Sequence, residues 1–163
     1  MTARNPCRRA ARGLVLVLIA TALCACSRGP EVPEGKLLAT DPPADARLGR
    51  QQPLYVQVEV RSRAPVTVTV APRYRGEDVV DGLATQAGVA LPAGGGTAVT
   101  SFFFWGQTPT RVDELQFTMT AQGQPPQRFS APVNLTWRAD PQPAPPPAAW
   151  VLEWQKAQPP RAK

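Results

Sequence analysis

The sequence predicts an all-β protein built on an antiparallel β-sandwich of about seven strands, residues 37–138. Apolar and polar residues alternate along several stretches, which places one set of side chains on a buried face and the other in water. Clusters rich in glycine and proline separate these stretches, and no helical periodicity intervenes. The 102 residues are also close to the common size of one domain.

The first element is a segment typical of export signals, residues 1–25. Four arginines and no acidic residue precede an apolar run of 11 residues at positions 13–23, whereas a helix that spans a bilayer needs about 20. Leu23, Ala25 and Cys26 close this run, with leucine three positions before the cysteine and a small residue directly before it. These residues resemble the lipobox of bacterial lipoproteins.

The resemblance implies that a signal peptidase recognises Leu23 and Ala25 and that Cys26 becomes an N-terminus carrying fatty acyl chains such as palmitate. Ser27 follows the cysteine, which resembles outer-membrane lipoproteins of Gram-negative bacteria, since aspartate there typically retains the protein at the inner membrane. We therefore expect a protein of the cell envelope, lipid-anchored at the outer membrane and facing the periplasm. The alternative is an ordinary secretory signal, or an uncleaved anchor, that happens to contain Cys26.

Cleavage of this signal would change the charge and the cysteine content of the protein. The full chain has 18 basic and 12 acidic side chains and a net charge of +6. Without the four signal arginines, 14 basic side chains remain against the 12 acids, a net charge of +2. This balance does not favour a nucleic-acid partner. Cys7 and Cys24 would leave with the signal and Cys26 would be acylated, so no free thiol would remain.

A short tether precedes the predicted domain. Residues 26–36 are polar and contain Pro30, Pro33 and Gly35, which interrupt regular structure. The alternation is clearest in four later runs, at residues 54–61, 66–70, 115–120 and 131–138. Weaker strands are expected near residues 37–40, 84–91 and 97–105.

Seven strands in about 100 residues resemble the immunoglobulin or fibronectin type III sandwich. The Cys…Trp…Cys pattern of true immunoglobulin domains is absent from the predicted domain. A transthyretin-like sandwich or a small barrel fits the same strands nearly as well.

One predicted strand carries four consecutive aromatic residues, Phe102 to Trp105. In a strand, Phe102 and Phe104 share one face, and Phe103 and Trp105 share the other. A sandwich strand needs only one apolar face. The Phe102 and Phe104 pair is therefore either covered by the C-terminal tail or a loop, or exposed as a patch that docks a partner.

The C-terminal part contains a proline-rich spacer, residues 139–149, and a tail, residues 150–163. The prolines exclude a helix or a central strand and favour polyproline II. The tail contains Trp150 and Trp154, which is unusual for a disordered segment. We expect it either to fold back onto the sandwich or to anchor another protein.

Catalysis receives little support from the sequence, which contains no histidine. A carboxylate-based hydrolase would need two facing acids, and the candidates are Glu77, Asp78 and Asp81 or Asp113 and Glu114. Neighbouring acids in glycine-containing loops are usually solvated turn residues. We therefore expect no enzyme activity, no cofactor and no metal.

The leading hypothesis is a non-enzymatic envelope lipoprotein whose β-sandwich binds another envelope protein or the cell wall. The candidate contact residues are Phe102, Phe104, Trp150 and Trp154. The alternative is a module that binds a glycan or another small ligand through Tyr55, Tyr74 or Trp137. Alternation places Tyr55 on an outward face, which favours this alternative, and Trp137 on an inward face, which does not.

Overall fold

A computed structural model describes residues 32–79, 83–85, 88–140 and 143–158 of the chain. Two β-sheets face each other, and a short helix follows them near the C-terminus. The prediction of an all-β sandwich is therefore confirmed. The signal segment, including Leu23, Ala25 and Cys26, lies outside the described residues.

Ten strands and one helix follow one another in this part of the chain. They are β1 Glu34–Asp41, β2 Arg47–Leu48, β3 Pro53–Arg61, β4 Val66–Tyr74, β5 Glu77–Asp78, β6 Leu83–Thr85, β7 Val89–Leu91, β8 Gly96–Phe104, β9 Thr110–Ala121, β10 Gln127–Trp137 and α1 Ala149–Ala157.

The first sheet, sheet A, has the strand order β1-β3-β8-β6, with every neighbouring pair antiparallel. Strand β3 shows why the alternation forms a strand: Leu54 and Val56 are buried, whereas Tyr55 and Gln57 are half-exposed. Valine and tyrosine also suit the pleated backbone of a half-buried strand. Sheet A therefore has one apolar face toward the core and one outer face.

The second sheet, sheet B, has the order β2-β10-β9-β4-β5, and β7 also pairs with β4. The β2–β10 pair is parallel, and the other pairs are antiparallel. The chain runs alongside β10 before β2 begins, since the Asn134 N–H donates to the Ala44 carbonyl at 2.7 Å. The edge of β10 is covered in this way, which removes it as a template for uncontrolled pairing.

The core lies between the two sheets and takes side chains from both. Its largest fully buried members are Trp137, Phe102, Phe104, Phe117, Leu48, Leu54, Leu115 and Leu135. Full burial of one such side chain contributes about 1.5–3 kcal/mol.

The sandwich has two ends, which we call the tether end and the far end. The tether end is where β1 begins, because Glu34 pairs with Arg61 and Val60 pairs with Gly96. The far end is where β8 ends, at Phe104, and where the loop to β9 begins. These names fix the position of every loop discussed below.

A tight turn at the tether end depends on glycine. Gly94 and Gly95 have φ angles of +95° and +84°, a region that L side chains rarely adopt. A Cβ atom at Gly94 would meet nothing within 4 Å, whereas one at Gly95 would collide with the carbonyl of Val60. Gly95 is therefore required both for its conformation and for its close approach to β3.

Two strand predictions need correction. Residues 84–91 form two strands, because β6 pairs with β8 in sheet A whereas β7 pairs with β4 in sheet B. The chain crosses between the sheets here, so one continuous strand is excluded. Strand β1 begins at Glu34, inside the predicted tether, because Glu34 and Lys36 already pair with β3.

Candidate functional site

The structure places Phe102 and Phe104 in the core, with 0% and 1% of their surface exposed. The ring of Phe102 packs against Trp137, with 5.9 Å between the ring centroids. The alternative in which Phe102 and Phe104 form an exposed patch is therefore wrong. They are buried between the two sheets, and not beneath the tail or a loop.

The register of the sheet explains this burial. Phe102 pairs directly with Leu54, and residues that pair directly in an antiparallel sheet share a face. Leu54 belongs to the inward set of β3. The four aromatic residues are all apolar, so their sequence alone gave no indication of which pair would follow Leu54 inward.

The other two aromatic residues of this segment are Phe103, on the outer face of sheet A, and its neighbour Trp105. Their ring centroids lie 5.1 Å apart in an edge-to-face arrangement, and Phe103 is half-buried. Trp105 lies just beyond β8 at the far end and has 47% of its surface exposed. A tryptophan with this exposure is the type of side chain that anchors partners.

A cleft of about 740 Å³ opens at the far end, between the ends of β4 and β8 and the start of β9. We call it the far-end cleft. The polar side chains that line it are those of Tyr74, Asp78, Gln107, Thr108, Thr110 and Arg111. Phe104 and Val79 contribute apolar surface to it. The cleft is therefore adjacent to Trp105 in the chain, and its lining combines polar side chains with apolar surface.

The charged side chains around the far-end cleft differ in whether they have an ion-pair partner. Asp78 Oδ1 lies 3.1 Å from Arg73 Nε, and the same guanidinium is 3.9 Å from Glu114. Arg111 lines the cleft, is exposed, and forms no ion pair with any residue in the described part of the chain. The cleft therefore presents a cation that has no ion-pair partner among the described residues, beside an acid that has one.

Three of the acids considered for hydrolysis, Asp78, Asp113 and Glu114, have polar partners in the structure. The Arg75 N–H donates to Asp113 Oδ2 at 3.0 Å, and the Ser130 hydroxyl donates to Glu114 Oε1 at 2.6 Å. Asp81 lies outside the described residues. These bonds connect neighbouring strands and loops and give Asp113 and Glu114 a role in holding the outer face of sheet B.

The three aromatic residues considered for glycan binding have different surroundings. Trp137 has no exposed surface, in agreement with its inward position. Tyr55 lies on the outer face of sheet A, where α1 covers it. Tyr74 lines the far-end cleft, and the guanidinium of Arg75 stands over its ring at 5.2 Å. Tyr74 thus lines the far-end cleft, whereas Tyr55 lies beneath α1 beside a small crevice.

The tail folds back as the helix α1 against sheet A. The rings of Trp154 and Tyr55 meet edge to face with 5.8 Å between centroids, and Gln155 Nε2 donates to the Tyr55 hydroxyl at 2.9 Å. Val151 is fully buried, and Trp150 is half-buried. Of the two arrangements expected for the tail, the structure shows the folded-back one.

The proline-rich spacer leads the tail back to the sheet. Ala144 and Pro145 line a small crevice together with Asp41 and Tyr55. The Ala148 N–H at the start of α1 donates to Asp41 Oδ2 at 2.8 Å. The carboxylate of Asp41 thus binds a free N–H group at the helix N-terminus, where a negative charge is favourable.

Within the described ranges, no helix is long and apolar enough to cross a membrane. The same residues include no group of three or more His, Cys, Asp or Glu side chains arranged to hold a metal ion.

Comparison with known proteins identifies no family. No protein-family model matches the sequence, and no curated protein matches it. The solved structures to which the chain is similar at low identity include the Salmonella enterica SafA pilin in complex with the SafB chaperone. That match has 12% identity and a TM-score of 0.47. It covers 70% of this chain and 58% of the Salmonella chain, so the matched region is little over half of the Salmonella chain.

Two other similar structures are the PapD-like domain of human CEP192 and the titin domain M4. The first has 10% identity and a TM-score of 0.40, over 69% of this chain and 88% of that one. The second has 12% identity and a TM-score of 0.34, over 69% and 97%. The partner and role of this chain therefore have to be argued from its own residues, since one fold serves many functions.

Proposed function

We propose that this protein is a non-enzymatic lipoprotein of the bacterial cell envelope, anchored through Cys26, whose β-sandwich binds another envelope protein or the cell wall. The observation that carries the proposal is the exposed Trp105, in edge-to-face contact with the half-buried Phe103, beside the far-end cleft. Such sites are typical of binding surfaces.

The position of this surface suits an anchored protein. Lipid at Cys26 would be attached eight residues before Glu34, which lies at the tether end. Strand β8 runs nine residues from the tether end to the far end, about 30 Å at 3.3 Å per residue. Trp105 and the far-end cleft would therefore point away from the membrane, toward partners in the periplasm.

The lipid anchor is tested by replacing Cys26 with serine. We expect the wild-type protein to fractionate with membranes and to have an acylated Cys26 at its N-terminus by mass spectrometry, and C26S to lose both properties. Cys24→Ser is the matched control and should remain membrane-bound. An unmodified Cys26, or a mature N-terminus at another residue, contradicts the anchor.

The binding surface is tested by crosslinking in intact cells. A photo-crosslinking amino acid at position 105 should capture an envelope protein or peptidoglycan, whereas the same amino acid at position 38 should not. Leu38 is the matched control because it is 45% exposed, against 47% for Trp105, and lies on β1, away from the cleft. Equal crosslinking at both positions, or none at position 105, contradicts a role for this surface.

Glycan binding is the second candidate, favoured by the position of Tyr74. An aromatic ring among hydroxyl, amide and guanidinium groups is a suitable lining for a sugar, which offers both apolar ring faces and hydroxyls. This candidate is compatible with a cell-wall partner.

A further inference from the structure

We propose that the far-end cleft binds a saccharide that carries carboxylate groups, with Arg111 as the residue that recognises the carboxylate. This inference rests on the proposed function, because the cell wall is the acidic glycan that an envelope protein meets. It assigns the ligand class and a specificity residue to the cleft.

The lining of the cleft combines polar side chains with apolar surface, and this combination suits a sugar. Six of its ten lining residues have polar side chains, and together they offer both hydrogen-bond donors and acceptors. Thr108 and Gln107 are exposed in the loop, and Tyr74 contributes an aromatic ring at the wall. A binding site of this composition orients a ligand by many hydrogen bonds.

The ion pairs of the cleft leave one cation available for an acidic ligand. The guanidinium of Arg73 lies 3.1 Å from Asp78 and 3.9 Å from Glu114, so both of these acids already have a cation beside them. Arg111 has no acidic partner among the described residues, and its fork of N–H donors matches a carboxylate. A carboxylate bound there would form the ion pair that Arg111 lacks in the described part of the chain.

The strand pairing at the cleft disfavours an extended peptide. A peptide that adds to a sheet needs an open strand edge. Beside the cleft, the outer edge of β4 is already occupied, since Arg73 pairs with Asp78 and Tyr74 pairs with Glu77 in β5. Strand β5 then forms the edge of sheet B and has only two residues, so it offers an extended peptide little backbone to pair with and favours recognition through side chains.

The reach of the anchored protein allows contact with the wall. Residues 26–33 number eight, and eight residues span at most about 28 Å when fully extended. With about 30 Å along β8, the far-end cleft would lie between about 30 and 60 Å from the lipid. The cleft is thus placed to meet a layer that runs parallel to the membrane.

The test compares charged and neutralised forms of one ligand on the full mature lipoprotein purified in detergent. The probes are peptidoglycan fragments released by muramidase and freed of their stem peptides by an amidase, which leaves a carboxylate on the sugar, and the same fragments with that carboxylate converted to an amide. We expect the fragments with the free carboxylate to bind about tenfold more tightly, measured by calorimetry, since a hydrogen bond to a charged group contributes at least this much. Arg111→Gln should remove the difference between the two probes.

Arg128→Gln is the matched control, because Arg128 is also an exposed arginine of sheet B but lies at the tether end, where β10 begins. It should retain the tenfold preference, and both variants should melt at the wild-type temperature. Equal affinity of the wild type for both probes, or a preference that survives R111Q, overturns the proposal.

The binding result is separable from the proposed function. If neither probe binds while position 105 crosslinks to an envelope protein, the acidic saccharide is refuted and the envelope-binding role remains. If Cys26 is not acylated and position 105 captures nothing, the proposed function itself fails.

Discussion

Replacement of Phe102 by alanine should destabilise the sandwich far more than the same change at the next residue, Phe103. Phe102 has no exposed surface and packs against Trp137, so its removal leaves a cavity between the sheets. Phenylalanine-to-alanine changes in a core cost about 3–5 kcal/mol. In a domain of about 100 residues, each kcal/mol lowers Tm by about 4–8 °C, so F102A should melt about 12–40 °C lower.

Phe103 is the matched control because the two changes remove the same side chain from adjacent positions of one strand. Phe103 is half-buried on the outer face and would lose its edge-to-face contact with Trp105, which contributes about 1 kcal/mol. F103A should therefore melt only about 4–8 °C lower. Thermal denaturation followed by circular dichroism measures both. Equal shifts, or a larger shift for F103A, would refute the assignment of faces in β8.

Two further predictions concern the turn at the tether end and the C-terminal helix. Gly95→Ala should lower the free energy of unfolding, measured by chemical denaturation, by at least about 2 kcal/mol more than Gly94→Ala. Both residues have positive φ, but only a Cβ at Gly95 collides with the backbone of β3. Equal decreases for the two variants would contradict this contact. Trp154→Ala should speed limited proteolysis after Pro147 several-fold, since α1 has nine residues, too few to be stable without its contacts. Leu152→Ala should leave the cleavage rate unchanged, because Leu152 is 42% exposed, and equal acceleration by both changes would contradict the docking of α1.

The strands were predictable where the alternation has an unambiguous phase. In β3, valine and leucine alternate with glutamine, glutamate and tyrosine, so both the strand and its inward face follow from the sequence. The same holds for β10, where the inward position expected for Trp137 agrees with its complete burial. Burial is favourable for the apolar side chains and contact with water is favourable for the polar ones, and this preference depends only on the residues of the strand itself.

The aromatic segment of β8 was predictable as a strand but not in its orientation. All of its residues from Phe102 to Trp105 are apolar, so the local preference for burial is the same for both faces. The orientation follows from pairing with β3, which aligns Phe102 with Leu54. The surface candidates changed accordingly, from Phe102 and Phe104 to Phe103 and Trp105.

The tail illustrates a second kind of ambiguity. Its two tryptophans indicated contact with a partner or with the sandwich, and the sequence was compatible with either. The choice depends on whether a complementary surface is present elsewhere in the chain. Tyr55 and Asp41 provide that surface, and they lie about a hundred residues earlier in the sequence than the groups they bind.

The residue types and the local pattern of this chain are sufficient to predict its all-β class, an export signal and the inward faces of its alternating strands. Each of these features depends on how neighbouring residues interact with water or membrane. The far-end cleft could not be found in this way. Tyr74 and Arg111 are far apart in the sequence and do not form a motif, and they line one cleft because β4 pairs with β9 and the loop after β8 closes the same end. Long-range pairing brings these residues together, and it leaves Arg111 without an acidic partner in the described residues while Asp78 has one.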